Sequence, residues 1–203
     1  AILESMNCPI VQIMELGPEP IDMMVGFSHN DAAFAVISHL IELNFKRIGF
    51  LGARMDPRVQ RRLEGYTDAM KRASLYDPRL IIATPVPTSV TMGGTLFADL
   101  LMKAPDIDAV FCVNDDLALG TLFECQRRQI QVPEDIAIVG FNDLEYMASA
   151  VPPLTSVRTN RYDMGRTAIT MTMDAIEGRR PATPVIDLGY ELIIRRSSAP
   201  RRL

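Results

Sequence analysis

The chain has 203 residues, of which 48% are hydrophobic and 23% charged, so it can bury one large core or two small ones without disulfides or metals. Its net charge of -4 excludes a polybasic nucleic-acid clamp. The lack of Trp, with aromatics at only 6%, leaves little for stacking bases along a strand.

Apolar runs of strand length fall at 10–14 (IVQIM) and 23–27 (MMVGF), followed by a helical pattern over 31–43 with Phe34, Ile37, Leu40 and Ile41 on one face. A strand at 47–51 (RIGFL) precedes a helix over 58–73, and a strand at 80–84 (LIIAT) precedes a helix over 93–103. A strand at 109–113 (AVFCV) leads into a helix over 116–128, and then comes a strand at 136–140 (IAIVG). The strands are continuous apolar runs rather than alternating ones, as in parallel strands covered on both faces. Beyond 141 the rhythm changes to a short helix (143–149), an extended or turned Pro152-Pro153, a strand (155–158), a helix (162–177) ended by Gly178, and a strand region (185–195) kinked at Gly189. The expected class is α/β, with βαβ units forming doubly wound parallel sheets.

In open α/β sheets, ligands bind beyond the carboxyl ends of the strands. Those positions hold Ser28 to Asp31, then Arg54, Asp56, Arg58, Arg61 and Arg62, then Asn114, Asp115 and Asp116, then Asn142 and Asp143. Amides and carboxylates hold hydroxyl groups, and a guanidinium grips a carboxylate with two parallel bonds, so the set suits a sugar or sugar acid. Asp31, Asp115 and Asp143 serve equally well as helix N-caps, and both readings stand at this stage. Catalysis has little support. The nucleotide-binding and hydrolase motifs are absent, and the two histidines, His29 and His39, are ten residues apart. No cofactor, metal ligand or catalytic residue is assigned. Cys8, Cys112 and Cys125 are odd in number and lack C-x-x-C spacing, which argues against a disulfide framework or a zinc site. Cys112 reads as a small buried hydrophobe. Arg195, Arg196, Arg201 and Arg202 read as a solvated tail. The start AILESMNCPIV lacks the layout of a signal peptide, and no apolar run reaches the ~18 residues of a membrane span, which favours the cytoplasm.

The strings HLIELNFKRIGFLG, RRLEGYTDAM, DAVFCVNDDLALGTL, QVPEDIAIVGFND, PPLTSVRTNRYDMGRTA and ELIIRRSS follow one another in order. Together they resemble the effector-binding domain of the LacI/GalR family of bacterial transcription regulators, most closely the gluconate-operon type, from about residue 10 to residue 198. The resemblance implies a periplasmic-binding-protein-like pair of lobes with a small molecule in the cleft between them. It implies ligand contacts at Asp31, Arg62, Asn114, Asn142 and Thr159. Asn142 stands where many members carry Asp, a change that favours an acidic effector, and no aromatic near Thr88 offers a stacking face. The expected partners are a small sugar or sugar-acid metabolite, a second copy in a homodimer, and operator DNA contacted only through a helix-turn-helix outside this sequence. No membrane partner is expected. Leu144, Met147 and Ala150 are candidates for the self-association face. The expected lobes are 1–43 with 159–184 (first, with its opening segment missing) and 44–158 with 185–198 (second), leaving 199–203 as a tail. The alternatives are a periplasmic sugar-binding transport protein and, third, a small α/β enzyme using Asp115 or Asp143.

Overall fold

The computed structural model describes residues 8–17 and 20–200. The chain divides into two compact units, one made of residues up to His29 with Thr159–Tyr190, the other of Asn30–Arg158 with the residues from Glu191 onward.

The smaller unit is a parallel three-stranded sheet of β1 (Val11–Ile13), β2 (Met23–Gly26) and β8 (Val185–Asp187), with β2 in the middle. β2 is buried along its whole length, as its uninterrupted apolar sequence requires. Helix α6 (Arg161–Ile176) packs on β1 and β2 through Met164, Ala168 and Met171. Its opposite face leaves Tyr162, Ile169, Met173 and Ile176 exposed.

The larger unit is a six-stranded sheet in the order β4-β3-β5-β6-β7-β9. The strands are β3 (Ile48–Ala53), β4 (Ile81–Thr84), β5 (Ala109–Cys112), β6 (Ala137–Asn142), β7 (Thr155–Thr159) and β9 (Tyr190–Ile193). Four neighbouring pairs, from β4 through β7, run parallel. Helices α1 (His29–Glu42), α2 (Pro57–Arg72), α3 (Val90–Lys103), α4 (Asp115–Arg127) and α5 (Glu145–Ser149) connect them. Every residue of β3 and β5 is buried. An aromatic row crosses the strands: Tyr66 lies 5.3 Å from Phe50, Phe50 5.9 Å from Phe111, and Phe111 6.4 Å from Phe141. The Tyr66 hydroxyl donates to the Ile48 carbonyl at 2.8 Å, which satisfies a phenol that is otherwise sealed in the core. Helices α3 and α4 cross closely because Gly93 and Gly120 carry no side chain: a Cβ on Gly120 would lie 1.9 Å from the Val90 carbonyl oxygen.

The unit boundaries differ from the sequence expectation at two places. Helix α1 belongs with the larger unit, not with residues 1–43, because the backbone of Asn30 and Phe34 lies against α2 at Gly65. Residues 185–190 belong with the smaller unit, because β8 pairs with β2. The expected single strand region 185–195 is two strands in two sheets, separated at Gly189, whose φ of 65° only glycine adopts freely. Arg195 is not a solvated tail: its guanidinium bonds the Asp143 carboxylate at 2.6 Å and the Leu154 carbonyl at 2.8 Å, with 15% of the side chain exposed. Ser197 and Ser198 behind it are fully buried, Ser197 Oγ donating to the Ile138 carbonyl and accepting from Thr155 N–H. Arg201 and Arg202 lie outside the described residues. Met147 is core rather than surface, whereas Leu144 and Ala150 are half-buried.

Candidate functional site

The carboxyl rim of the larger sheet gathers three of the expected residues. Asp56 caps α2, accepting from Arg58 N–H at 3.1 Å and Val59 N–H at 3.2 Å, and Pro57 starts the helix in the φ it needs. One and a half turns later, Arg62 turns inward. It is 6% exposed, its Nη1 donates to the Val113 carbonyl just past β5, and its guanidinium lies 3.6 Å from the centre of the Phe141 ring on β6. Arg62 is therefore the polar end of the aromatic row, joined to it by a cation–π contact. Asn114 follows Val113 and caps α4, its Oδ1 accepting from Leu117 N–H at 3.0 Å, which leaves the amide nitrogen of the same side chain for other partners. Asn142 follows Phe141 and ends β6 with φ 113°, and Asp143 after it has φ 52°. Two consecutive non-glycine residues in this region carry backbone strain of a kind that clusters at ligand sites.

The strained turn is held from three sides. Asp143 N–H donates to Ser156 Oγ at 3.0 Å, and the Asp143 carboxylate pairs with Arg158 at 2.7 Å as well as with Arg195. Leu144 N–H donates to Asp115 Oδ2, and Ser156 Oγ–H donates to Asp115 Oδ1, each at 2.7 Å. Burial pushes the Asp115 carboxyl up to about 6, against the pull of these two donors and of the Phe141 backbone N–H, and Asp143 adds to the rise. Burial, with nearby Arg58, lowers the Arg62 guanidinium to about 9, and Asp56 and Asp115 hold it from falling further. Burial opposes ionisation of Asp143, but Arg195 and Arg158 outweigh it and keep this carboxyl below the usual range.

The other expected residues are placed differently. Asp31 is exposed in the first turn of α1. Thr159 ends β7 and belongs to the smaller unit, where its hydroxyl is buried with no hydrogen-bond partner. Sequence reasoning missed Phe141, the platform under Arg62, because an apolar residue inside a strand reads only as core. It also left Asp115 open between a helix cap and a ligand contact, and the cap position is held by Asn114. Among the described residues no group of His, Cys, Asp and Glu could hold a metal ion, and no helix is long and apolar enough to cross a membrane.

Residues 37–198 match the family described as periplasmic binding protein-like domain. The chain is 41% identical over 197 residues to the HTH-type transcriptional regulator GntR of Pseudomonas aeruginosa, covering 97% of this chain and 57% of the relative. It therefore spans a little over half of that relative's length. The crystal structure of the transcription regulator GntR from Chromobacterium violaceum is similar with a TM-score of 0.91 and 45% identity, over 94% of this chain and 70% of the other. A LacI family transcriptional regulator from Silicibacter pomeroyi is similar with a TM-score of 0.88 and 31% identity, over 97% and 72%. These relatives are named as regulators and not as enzymes, in agreement with the strings that carried the sequence resemblance. The chain belongs to the periplasmic binding protein-like domain family, in the form found in LacI-type transcription regulators.

Proposed function

We propose that this chain senses a small metabolite for a transcriptional repressor of LacI type. A sugar, sugar acid or related molecule binds at the rim formed by Arg62, Asn114 and Asn142. Occupancy shifts the population of conformations and so changes operator affinity. DNA contact belongs to a helix-turn-helix outside these 203 residues, in keeping with the net charge of -4, and a homodimer matches palindromic half-sites. Such a regulator works in the cytoplasm.

The observation that carries this reading is the state of Arg62. A buried guanidinium over the Phe141 ring and on the Val113 carbonyl, the residues that immediately precede Asn142 and Asn114, is a preorganised donor for a carboxylate or for vicinal hydroxyls. A ligand at 100 times its dissociation constant stabilises the fold by about 2.7 kcal/mol. At ~2–4 °C per kcal/mol for a chain of this size, the melting point rises by about 5–10 °C. Screening the protein against sugars, sugar acids and sugar phosphates by thermal shift identifies the class. Arg62→Ala then abolishes the shift, and Arg62→Lys restores little of it, because a point charge does not reproduce the fork. An Arg62→Ala protein that binds the same ligand within about twofold would remove Arg62 from the site.

A further inference from the structure

We propose that Asp115 determines specificity at this site: its buried carboxylate shares the field of Arg62 and sets the preference between an effector bearing a carboxylate and a neutral polyhydroxylated one. This inference rests on the reading of Arg62 as the effector anchor.

Asp115 is fully buried at the first position of α4, immediately after Asn114. Its place is fixed by more than helix geometry. Oδ1 takes the Ser156 hydroxyl from β7, and Oδ2 takes the Leu144 backbone N–H from the turn after β6. Oδ1 also rests on bare backbone, since a Cβ added to Gly140 would lie 2.6 Å from it. The Phe141 backbone N–H also donates to the carboxylate, and all three donors are uncharged, so they orient it without supplying a countercharge. Arg62 on α2 bonds the Val113 carbonyl, two residues before Asp115, and Asp115 helps to keep that guanidinium charged. The other titratable groups around Asp115 are Asp143 after β6, Cys112 on β5 and Tyr146 on α5, whose hydroxyl donates to neighbouring Asp116 at 2.6 Å. Asp56 and Arg58, at the start of α2, complete the field around Arg62.

An effector carboxylate seated on Arg62 enters this field as a further negative charge. In a buried site it repels an ionised Asp115, whereas a hydroxyl group does not. An acid therefore binds best when Asp115 is protonated, and its binding draws a proton onto Asp115. Because the free carboxyl already sits at about 6, that uptake falls in an accessible range. Asn142 brings no charge to the rim, so Asp115 is the carboxylate that discriminates between acid and polyol.

The test uses the full-length gene product and two probes of equal carbon count, D-gluconate and D-glucitol, titrated calorimetrically from pH 5 to pH 8. For the wild-type protein, gluconate affinity increases as pH falls, by about tenfold if binding raises the Asp115 pKa by one unit. Calorimetry in buffers of different ionisation enthalpy shows proton uptake with gluconate and none with glucitol. In Asp115→Asn, the ratio of gluconate to glucitol affinity at pH 8 increases about tenfold, and the pH slope of gluconate binding disappears. The proposal is overturned if wild-type gluconate binding takes up no proton, or if the folded variant keeps both the wild-type slope and the wild-type preference. Should Asp115→Asn fail to fold, the wild-type proton uptake decides alone. Arg62→Ala separates the two readings. If it loses gluconate while Asp115 has no effect, only this inference fails. If neither probe binds, or Arg62→Ala binds as well as wild type, the site itself is misplaced and both readings fall.

Discussion

Gly120 and Gly165 are both helical glycines, and replacing each by alanine should move stability in opposite directions. At Gly120 on α4, an added Cβ would sit 1.9 Å from the Val90 carbonyl oxygen and 2.9 Å from Gly94 N, both backbone atoms of α3. That is about 1.5 Å short of the 3.4 Å at which ordinary contact begins, and no side chain can swing aside to make up the difference. The two helices must separate, opening the layer that holds Leu96, Phe97 and Leu117 in the core. Overpacking of this kind costs about 3 kcal/mol at the upper end of its usual range. The helix preference of alanine over glycine returns about 1 kcal/mol, for a net loss of about 2 kcal/mol. The melting point should fall by roughly 4–8 °C. At Gly165 on α6 nothing lies within 4 Å of the added Cβ, so only the preference operates. There a rise of about 2–4 °C is expected for ~1 kcal/mol. Scanning calorimetry reads both, including the case in which the two units melt separately. A Gly120→Ala protein that melts at or above the wild-type temperature would refute the steric reasoning, as would a fall for Gly165→Ala.

Cys8 is exposed, whereas burial pushes the Cys112 and Cys125 thiols up to about 12. A disulfide reagent at pH 8 should therefore titrate one thiol quickly in the native protein and the other two only on unfolding; fast titration of all three would contradict the packing of α4 on β5. Asp143→Asn keeps a side chain that tolerates the turn and removes the charge shared by Arg158 and Arg195, so it should lower stability at pH 7. The Asp143 carboxyl is held below its usual value, so its contribution is present above the unfolded pKa of about 3.9 and disappears as pH falls through the folded value. Denaturant melts of the two proteins should converge in acid, and a gap that persisted at pH 2 would show that the effect is not the ion pairs.

Most of the architecture was legible in the sequence because parallel buried strands and amphipathic helices write strong local patterns. The runs at 47–51, 109–113 and 136–140 fall on β3, β5 and β6 to within two residues. What stayed hidden was set by pairing across long stretches of chain. Nothing near Val185 announces that it joins Met24 in one sheet while Tyr190 opens a strand of another. The rim residues could be named because strand ends are recognisable, but their roles could not. Asn114 and Asp115 are adjacent and chemically alike, yet one caps a helix and the other is sealed beneath the neighbouring turn by Ser156, 41 positions away. The same distance effect made Arg195 look like tail, since its partner Asp143 lies 52 positions upstream.

The separation of β8 from β9 at Gly189 bears on how the protein is made. The larger sheet starts with β3, yet β9 leaves the ribosome only after α6 and β8 of the other unit have been synthesised. At ~5–20 residues per second, the nascent sheet waits several seconds with β7 as an uncapped edge and with Asp143 lacking Arg195. Pinning of the turn at Asp143 and final closure of the sheet are thus tied to the same late segment. Truncated products from an interrupted message, ending before residue 190, would present an open sheet edge and an incomplete rim, the features by which chaperones and proteases recognise unfinished chains.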